Sequence, residues 1–316
     1  MSTQCSSESD MPDTAALRNI GIVRRAKPLL GTLVDIGVGA TDVDFARTAV
    51  EAAFAEIREV HRLMSFHEPP SDVSRINRAA PGVPVEVDPR TADVLRLALE
   101  MQEASTGAFD CTVAPVLVRH RLLPSVQGWD GERAGACRRD SPSESGNPAL
   151  ERAAAFTVDA CSVIKARDCL IDLGGIAKGY AVDRAIEAVT AQAATSEHSI
   201  DSVLVNAGGD LRFRGPSAVT FWLRDPRDAG RLTDAIEVSD GALASSSTSG
   251  LDERAHQVSP LVDPVSGTPL PMGAGVTVAA PTCAIADALT KVALTTRDAA
   301  HPVFARYRAS VVRLIV

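Results

Sequence analysis

Residues 171–189 read IDLGGIAKGYAVDRAIEAV. An apolar run of strand character stops at Gly174 and Gly175 and passes directly into an amphipathic helical pattern. This fixes a strand–turn–helix unit with a very short connection. A glycine pair at a helix start serves one of two ends. Its backbone N–H groups and the positive end of the helix dipole hold a phosphate, with Lys178 adding a cation. Alternatively, the missing side chains, Gly179 included, let the helix approach a neighbour closely. The pattern is not GxxxxGK[ST], because Gly179 follows Lys178, and it is not GxGxxG.

The rest of the chain supplies the partners of this unit. Residues 1–22 are polar and acidic and read as a disordered tail, leaving 23–316 as one domain. RRAKPLLGTLVDIGVGA reads as a turn followed by a strand through Leu33, Val34, Ile36 and Val38. Asp42 or Asp44 caps a helix to about Met64, whose apolar positions Ala46, Val50, Ala53, Phe54 and Ile57 follow the helical period. SFHEPPSDVSRINRAAPG reads as a polar loop, and Asp88–Pro89 open a second helix that Gly107 ends. Residues 128–150 are rich in Gly, Ser and Pro and read as a flexible insertion. Strands follow at 156–159 and 168–172, then the glycine turn with its helix to about 193, then VLVNAGG, FWLRD, AIEVSDGALAS and VTVAAP. CAIADALTKVALTT is a helix and VVRLIV a closing strand. Strands and helices alternate in clusters without a regular βαβ period, which predicts an α+β fold.

Charge and composition exclude several classes. The net charge is −8, aromatic residues make up 4%, and no basic stripe is present, so a nucleic-acid partner is not expected. No apolar run approaches the roughly 18 residues of a membrane helix. The N-terminus lacks a basic region and an apolar core, so no export signal is read there and the expected location is cytoplasmic. The six cysteines show no metal-binding spacing, and most read as small buried apolar residues of a reducing compartment.

Two further features carry chemistry. In 204-LVNAGGDLRFRG-215, Asn206 and Asp210 flank a second glycine turn. Asp287 sits amid CAIADALTKVAL, where a carboxylate is costly without a partner. Metal coordination is one solution and an ion pair with Lys291, four residues on, is the other.

Taken in order, PLLGTLVDI, MSFHEPPSDVSRIN, TGAFDCTVAPVL, IDLGGIAKGYAVDRA, VLVNAGGDLRFRG, LVDPVSGTPL and VTVAAPTCAIADALTK span about residues 28–295. The series resembles the ApbE family, the FAD:protein FMN transferases. The resemblance implies an α+β fold of two related tunnelling-fold-type halves, with antiparallel sheets and packed helices. It implies FAD as donor substrate, Mg²⁺ as cofactor, and a target flavoprotein whose Thr or Ser receives FMN through a phosphoester bond while AMP is released. Family targets carry a short S/T-G-A-T-S/T-like motif. This chain contains TSG at 248–250 but no such motif, so it is not expected to modify itself. Two alternatives share the site: an FAD pyrophosphatase with water as acceptor, and an FAD-binding protein without catalysis.

By the same resemblance, Leu30, His67, Ala108, Phe109, Asp110, Asp172, Lys178 and Val262 match FAD-contacting positions. Gly175 matches a metal ligand through its carbonyl, and Asp287 matches the main metal carboxylate; Asp287 and Lys178 are the catalytic candidates. The chain also departs from the family. Leu30 replaces a methionine, His67 a tyrosine and Pro260 a histidine, with His256 nearby. Lys291 stands where a threonine metal ligand is usual, and Thr290 is displaced one position around the helix.

Overall fold

A computed structural model describes residues 21–126, 129, 154–228, 230–249 and 258–316. Residues 1–20 of the expected 1–22 tail and the insertion at 128–150, Trp129 excepted, lie outside the described residues, as does His256. The sheet begins with β1 (Gly21–Leu29), two residues earlier than the domain boundary expected from sequence, paired antiparallel with β2 (Thr32–Ala40). Leu30 and Gly31 join them, both at positive φ (55° and 70°), as a tight primed hairpin turn requires. RRAKPL is therefore strand, not turn. β1 is an edge strand that exposes Arg24, Arg25 and Ala26, so it lacks the apolar alternation that betrays a half-buried strand.

Helix α1 (Val43–Met64) starts where expected: the Asp42 carboxylate accepts from the Phe45 N–H at 2.6 Å, and Ala46, Val50, Ala53, Phe54 and Ile57 are all buried. The following stretch is not all loop. Ser71 caps a short helix α2 (Asp72–Arg78), accepting from the Ser74 N–H at 3.0 Å. A short strand β3 (Pro84–Glu86), helix α3 (Pro89–Ala104, capped by Asp88) and helix α4 (Ala114–Arg119) come next. Strands β4 (Phe156–Asp159) and β5 (Ser162–Lys165) form a small sheet with β3.

Residues 168–172 enter none of the sheets, against expectation. A side chain replaces the missing strand partner. Asn77 accepts from the Ile171 N–H at 2.7 Å and donates to the Ile171 carbonyl at 2.9 Å. This two-point clamp holds the segment that leads into the glycine turn and satisfies buried backbone groups. Helix α5 (Ala177–Ala194) follows the turn.

Strands β6 (Ile200–Ala207) and β7 (Asp210–Arg224) flank Gly208 and Gly209, and β8 (Leu232–Ser247) pairs with β7. A two-stranded hairpin of β9 (Val262–Asp263) and β10 (Thr268–Pro269) precedes β11 (Gly275–Ala280). Helix α6 (Cys283–Thr296) matches its expected span; α7 (Pro302–Arg306) and β12 (Ser310–Ile315) complete the chain. The main sheet is seven-stranded, in the order β1-β2-β6-β7-β8-β11-β12, antiparallel throughout. Helix α1 packs on β1 and β2, α5 on β6, and α6 on β8 and β11; α5 touches both other helices. This is the expected α+β architecture. No helix among the described residues is long and apolar enough to cross a membrane.

Gly179 sets the α5–α6 distance. A Cβ there would lie 2.3 Å from the Cys283 carbonyl oxygen, a backbone atom that cannot swing aside. Gly179→Ala is therefore expected to lower stability by about 1–3 kcal/mol through overpacking. Denaturant unfolding checks this; an unchanged midpoint would show that the two helices have slack.

Candidate active site

The starts of α5 and α6 face each other and exchange carboxylates. Asp183 of α5 accepts from the N–H groups of Cys283 and Ala284, in the first turn of α6, at 2.9 and 2.8 Å. Asp287 of α6 accepts from the Gly179 N–H, in the first turn of α5, at 3.1 Å. Each helix thus satisfies an orphan donor of the other, and each negative charge lies at a positive helix end. Neither helix needs a local cap for these groups: the residue before α5, Ile176, makes no side-chain cap bond. Asp183, which Arg212 also bonds at 2.8 Å, was not singled out from sequence. Its position seven residues into the helix hides a capping role directed at another element.

Lys178 and Lys291 complete the arrangement. Lys178 is bonded to Asp210, and its ammonium lies 3.9 Å from Asp287 Oδ2. Lys291 is bonded to Asp287 Oδ1 and also donates to the Asp287 carbonyl at 3.1 Å and to Ser246 Oγ at 3.3 Å. Asp210 and Asp287 are fully buried. Of the two sequence readings of Asp287, the ion pair with Lys291 is present. Thr290 is buried too, and its hydroxyl is engaged with the Asp287 carbonyl (2.6 Å) and Ser246 Oγ (2.7 Å).

Burial works against charge at Asp287, but Lys178, Lys291 and the Gly179 N–H outweigh it and hold the carboxyl below its ordinary range. Asp210, buried beside the Asp287 charge, is pushed upward despite its lysine. Burial also opposes the Lys178 charge, yet Asp210 and Asp287 raise its pKa above the usual lysine value.

In front of this cluster lies a cavity of about 710 Å³, lined by residues of β1–β2, α1, the 108–123 segment, the glycine turn and the 260–270 loop. Its walls are mostly apolar, with Leu30, Met64, Phe66, Phe109, Leu117 and Val262 among them. Lys178 and Lys291 line it; Asp210, Asp287 and Thr290 lie behind. The expected FAD-contacting residues, Leu30, His67, Ala108, Phe109, Asp110, Asp172, Lys178 and Val262, all line this one cavity, as does Gly175. The topology thus brings together residues as distant in the chain as Leu30 and Lys291.

Local folding places each of them. Leu30 sits at the hairpin turn, and Ala108 and Phe109 follow the positive-φ pair Thr106–Gly107 that ends α3. Asp110 Oδ1 accepts from both the N–H and the hydroxyl of Thr112 at 2.7 Å. The Asp172 N–H is tied to the Cys111 carbonyl at 2.8 Å. Burial pushes the Asp172 carboxyl upward, opposed by the Gly174 N–H and by the charges of His67 and Lys291. Val262 lies in β9, where it pairs with Pro269. Pro260 lines the cavity at the position where the family resemblance implies a histidine.

An apolar cavity closed at one end by two ammonium groups and a helix start fits a ligand that joins an aromatic body to a pyrophosphate. The donor set does not fit a hard divalent cation. Such an ion needs free carboxylate and carbonyl oxygens. Here Lys291 and Gly179 take both Asp287 oxygens, and the Thr290 hydroxyl is turned away from the cavity. Among the described residues no group of three or more His, Cys, Asp or Glu side chains could hold a metal ion.

Fold and site define an α+β protein with a seven-stranded antiparallel sheet and a largely apolar cavity that Lys178 and Lys291 line. The ApbE family matches residues 30–315, and the chain belongs to that family. Among its relatives, the FAD:protein FMN transferase of Vibrio cholerae is 25% identical over 280 residues, covering 84% of this chain and 79% of that protein. The crystal structure of the ApbE protein from Thermotoga maritima aligns with a TM-score of 0.73 at 25% identity, covering 93% of this chain and 94% of that one. The flavin transferase ApbE from Vibrio cholerae aligns with a TM-score of 0.74 at 24% identity, covering 94% of both chains.

The charge cluster makes a pH prediction. The folded-state pKa of Asp287 lies below its unfolded value, so its contribution is complete above about pH 4 and is lost as the pH falls through the lowered value. Asp287→Asn leaves two ammonium groups short of one counter-charge and is expected to cost about 3 kcal/mol near neutrality. Denaturant titration of both proteins across pH checks this. The difference should stay level down to about pH 5 and shrink in stronger acid; a difference that grows in acid would refute the lysine pairing.

Proposed function

We propose that this chain transfers FMN from FAD to a Thr or Ser hydroxyl of a target flavoprotein. The observation that carries the reading is the apolar cavity whose wall presents Lys178 and Lys291 beside the glycine turn. The apolar walls suit the flavin ring, and the two ammonium groups suit the pyrophosphate. The named relative, an FAD:protein FMN transferase, supports FAD as donor and a protein as acceptor.

The acceptor oxygen bonds to the phosphorus of the FMN half. The bond from that phosphorus to the bridging oxygen breaks, AMP leaves with that oxygen, and the hydroxyl proton is released. Phosphoryl transfer asks the protein mainly for in-line placement and charge stabilisation. Lys178 and Lys291 supply fixed positive charge where negative charge gathers on the leaving phosphate. Asp210 and Asp287 hold both ammonium groups in place beforehand, so little reorganisation accompanies the reaction. Ala108, Phe109 and Val262 give the substrate apolar contacts, while Asp110 and Asp172 offer polar ones at the cavity wall. Leu30 and His67 stand at the same wall, from the β1–β2 turn and the end of α1.

AMP release from FAD by the purified protein, with and without a protein carrying the threonine motif, tests the reaction. AMP together with covalent FMN, appearing only with the target, is expected. AMP without the target would replace the transferase with a pyrophosphatase, and FAD binding without AMP would replace it with a flavin carrier. Lys178→Met leaves Asp210 without its counter-charge and is expected to lower the melting temperature. Measured where circular dichroism shows the variant folded, its FAD binding is expected to be weaker by about tenfold, a loss of about 1.4 kcal/mol. Unchanged affinity would place the pyrophosphate elsewhere.

A further inference from the structure

The position at which the family resemblance implies a threonine metal ligand holds Lys291, and the structure shows where that ammonium goes. It does not fold back to solvent. It lies at the cavity wall, against the glycine turn: a Cβ on Gly175 would be 3.5 Å from Lys291 Cε. Its three protons have three acceptors, Asp287 Oδ1, the Asp287 carbonyl and Ser246 Oγ. The carboxylate that would anchor a divalent ion is thereby sealed behind a cation. Its second oxygen is held by the Gly179 N–H, and Lys178 stands 3.9 Å away from it.

The charges agree with this reading. Two ammonium groups face two buried carboxylates, so the cluster is neutral without a further ion. A divalent ion at Asp287 would meet the Lys291 ammonium at contact distance and Lys178 close by. The repulsion between such charges at about 4 Å amounts to several kcal/mol per pair at the effective dielectric of a protein surface. It would also have to break the Lys291–Asp287 pair. The alternative ligand, Thr290, is buried and already bonded on the side away from the cavity.

We propose that Lys291 is a tethered replacement for the divalent cation, so that the cavity takes the pyrophosphate of FAD on Lys178 and Lys291 without a metal ion. The inference rests on the FAD reading of the cavity given above. The longest of the Lys291 contacts, the 3.3 Å bond to Ser246 Oγ, is the one that a phosphate oxygen replaces. The bond to Asp287 stays, and keeps the ammonium in position while the pyrophosphate binds. Lysine suits this use as a compact point charge on a flexible stem, whereas the short threonine hydroxyl of other members brings no charge of its own.

The test is equilibrium FAD binding to the intact protein, in EDTA and in excess Mg²⁺, together with a titration of Mn²⁺ followed by electron paramagnetic resonance. Wild-type affinity for FAD is expected to differ by less than about twofold between the two buffers. The protein should leave the free Mn²⁺ signal undiminished. Lys291→Thr opens the Asp287 carboxylate; it is expected to lose about tenfold or more in FAD affinity in EDTA, to recover it with Mg²⁺, and to bind Mn²⁺. Wild-type binding of FAD that requires Mg²⁺ would overturn the proposal while leaving the FAD reading intact. So would a Lys291→Thr protein that binds FAD in EDTA as tightly as wild type. Wild type that binds FAD in neither buffer would overturn the FAD reading itself, and this inference with it. If Lys291→Thr does not fold, the wild-type comparison between EDTA and Mg²⁺ decides alone.

Discussion

The close approach of α5 and α6 at Gly179 is the constraint on which the site depends. With no side chain there, the starts of the two helices come near enough to trade carboxylates, Asp183 reaching the first turn of α6 and Asp287 the first turn of α5. Each carboxylate satisfies N–H donors that a helix leaves open, in a place where water is excluded and an unmet donor is costly. The exchange fixes the rotation of both helices. It therefore decides which residues of α6 face the cavity, Lys291 and Thr295 among them.

The same packing explains the layering of charge. Carboxylates on the helix–sheet boundary are fully buried, and a buried carboxylate persists only with partners. Lys178 and Lys291 are those partners, and because they reach in from the cavity side, positive charge is what the cavity presents. Of the two readings suggested by the sequence, close packing is what Gly179 serves, while Gly174 and Gly175 line the cavity.

Much of this was legible along the chain because the signals are local. Asp42 before an apolar period marks the start of α1, and Asp88–Pro89 that of α3, because caps and periods act over a few residues. β1 was missed because an edge strand exposes its charges and shows no alternation. The segment 168–172 was misread for the opposite reason. It is apolar enough to be a strand, but its hydrogen bonds go to Asn77, more than ninety residues away in sequence. Short α2 was hidden in a polar stretch, where only the Ser71 cap distinguishes a helix turn from a loop.

The clustered alternation of strands and helices determined the α+β class, and the motifs, taken in order, carried the family resemblance, which implied the residues that line the cavity. The roles within the charge cluster were decided only by tertiary structure. A lysine four residues after an aspartate is compatible with an exposed ion pair, a blocked metal ligand or a substrate contact. The outcome depends on how α6 is rotated against α5, and a contact between a glycine and a backbone carbonyl more than a hundred residues apart sets that rotation. Asp183 shows the same limit. Its capping partners lie on another helix, and no pattern within its own helix announces them.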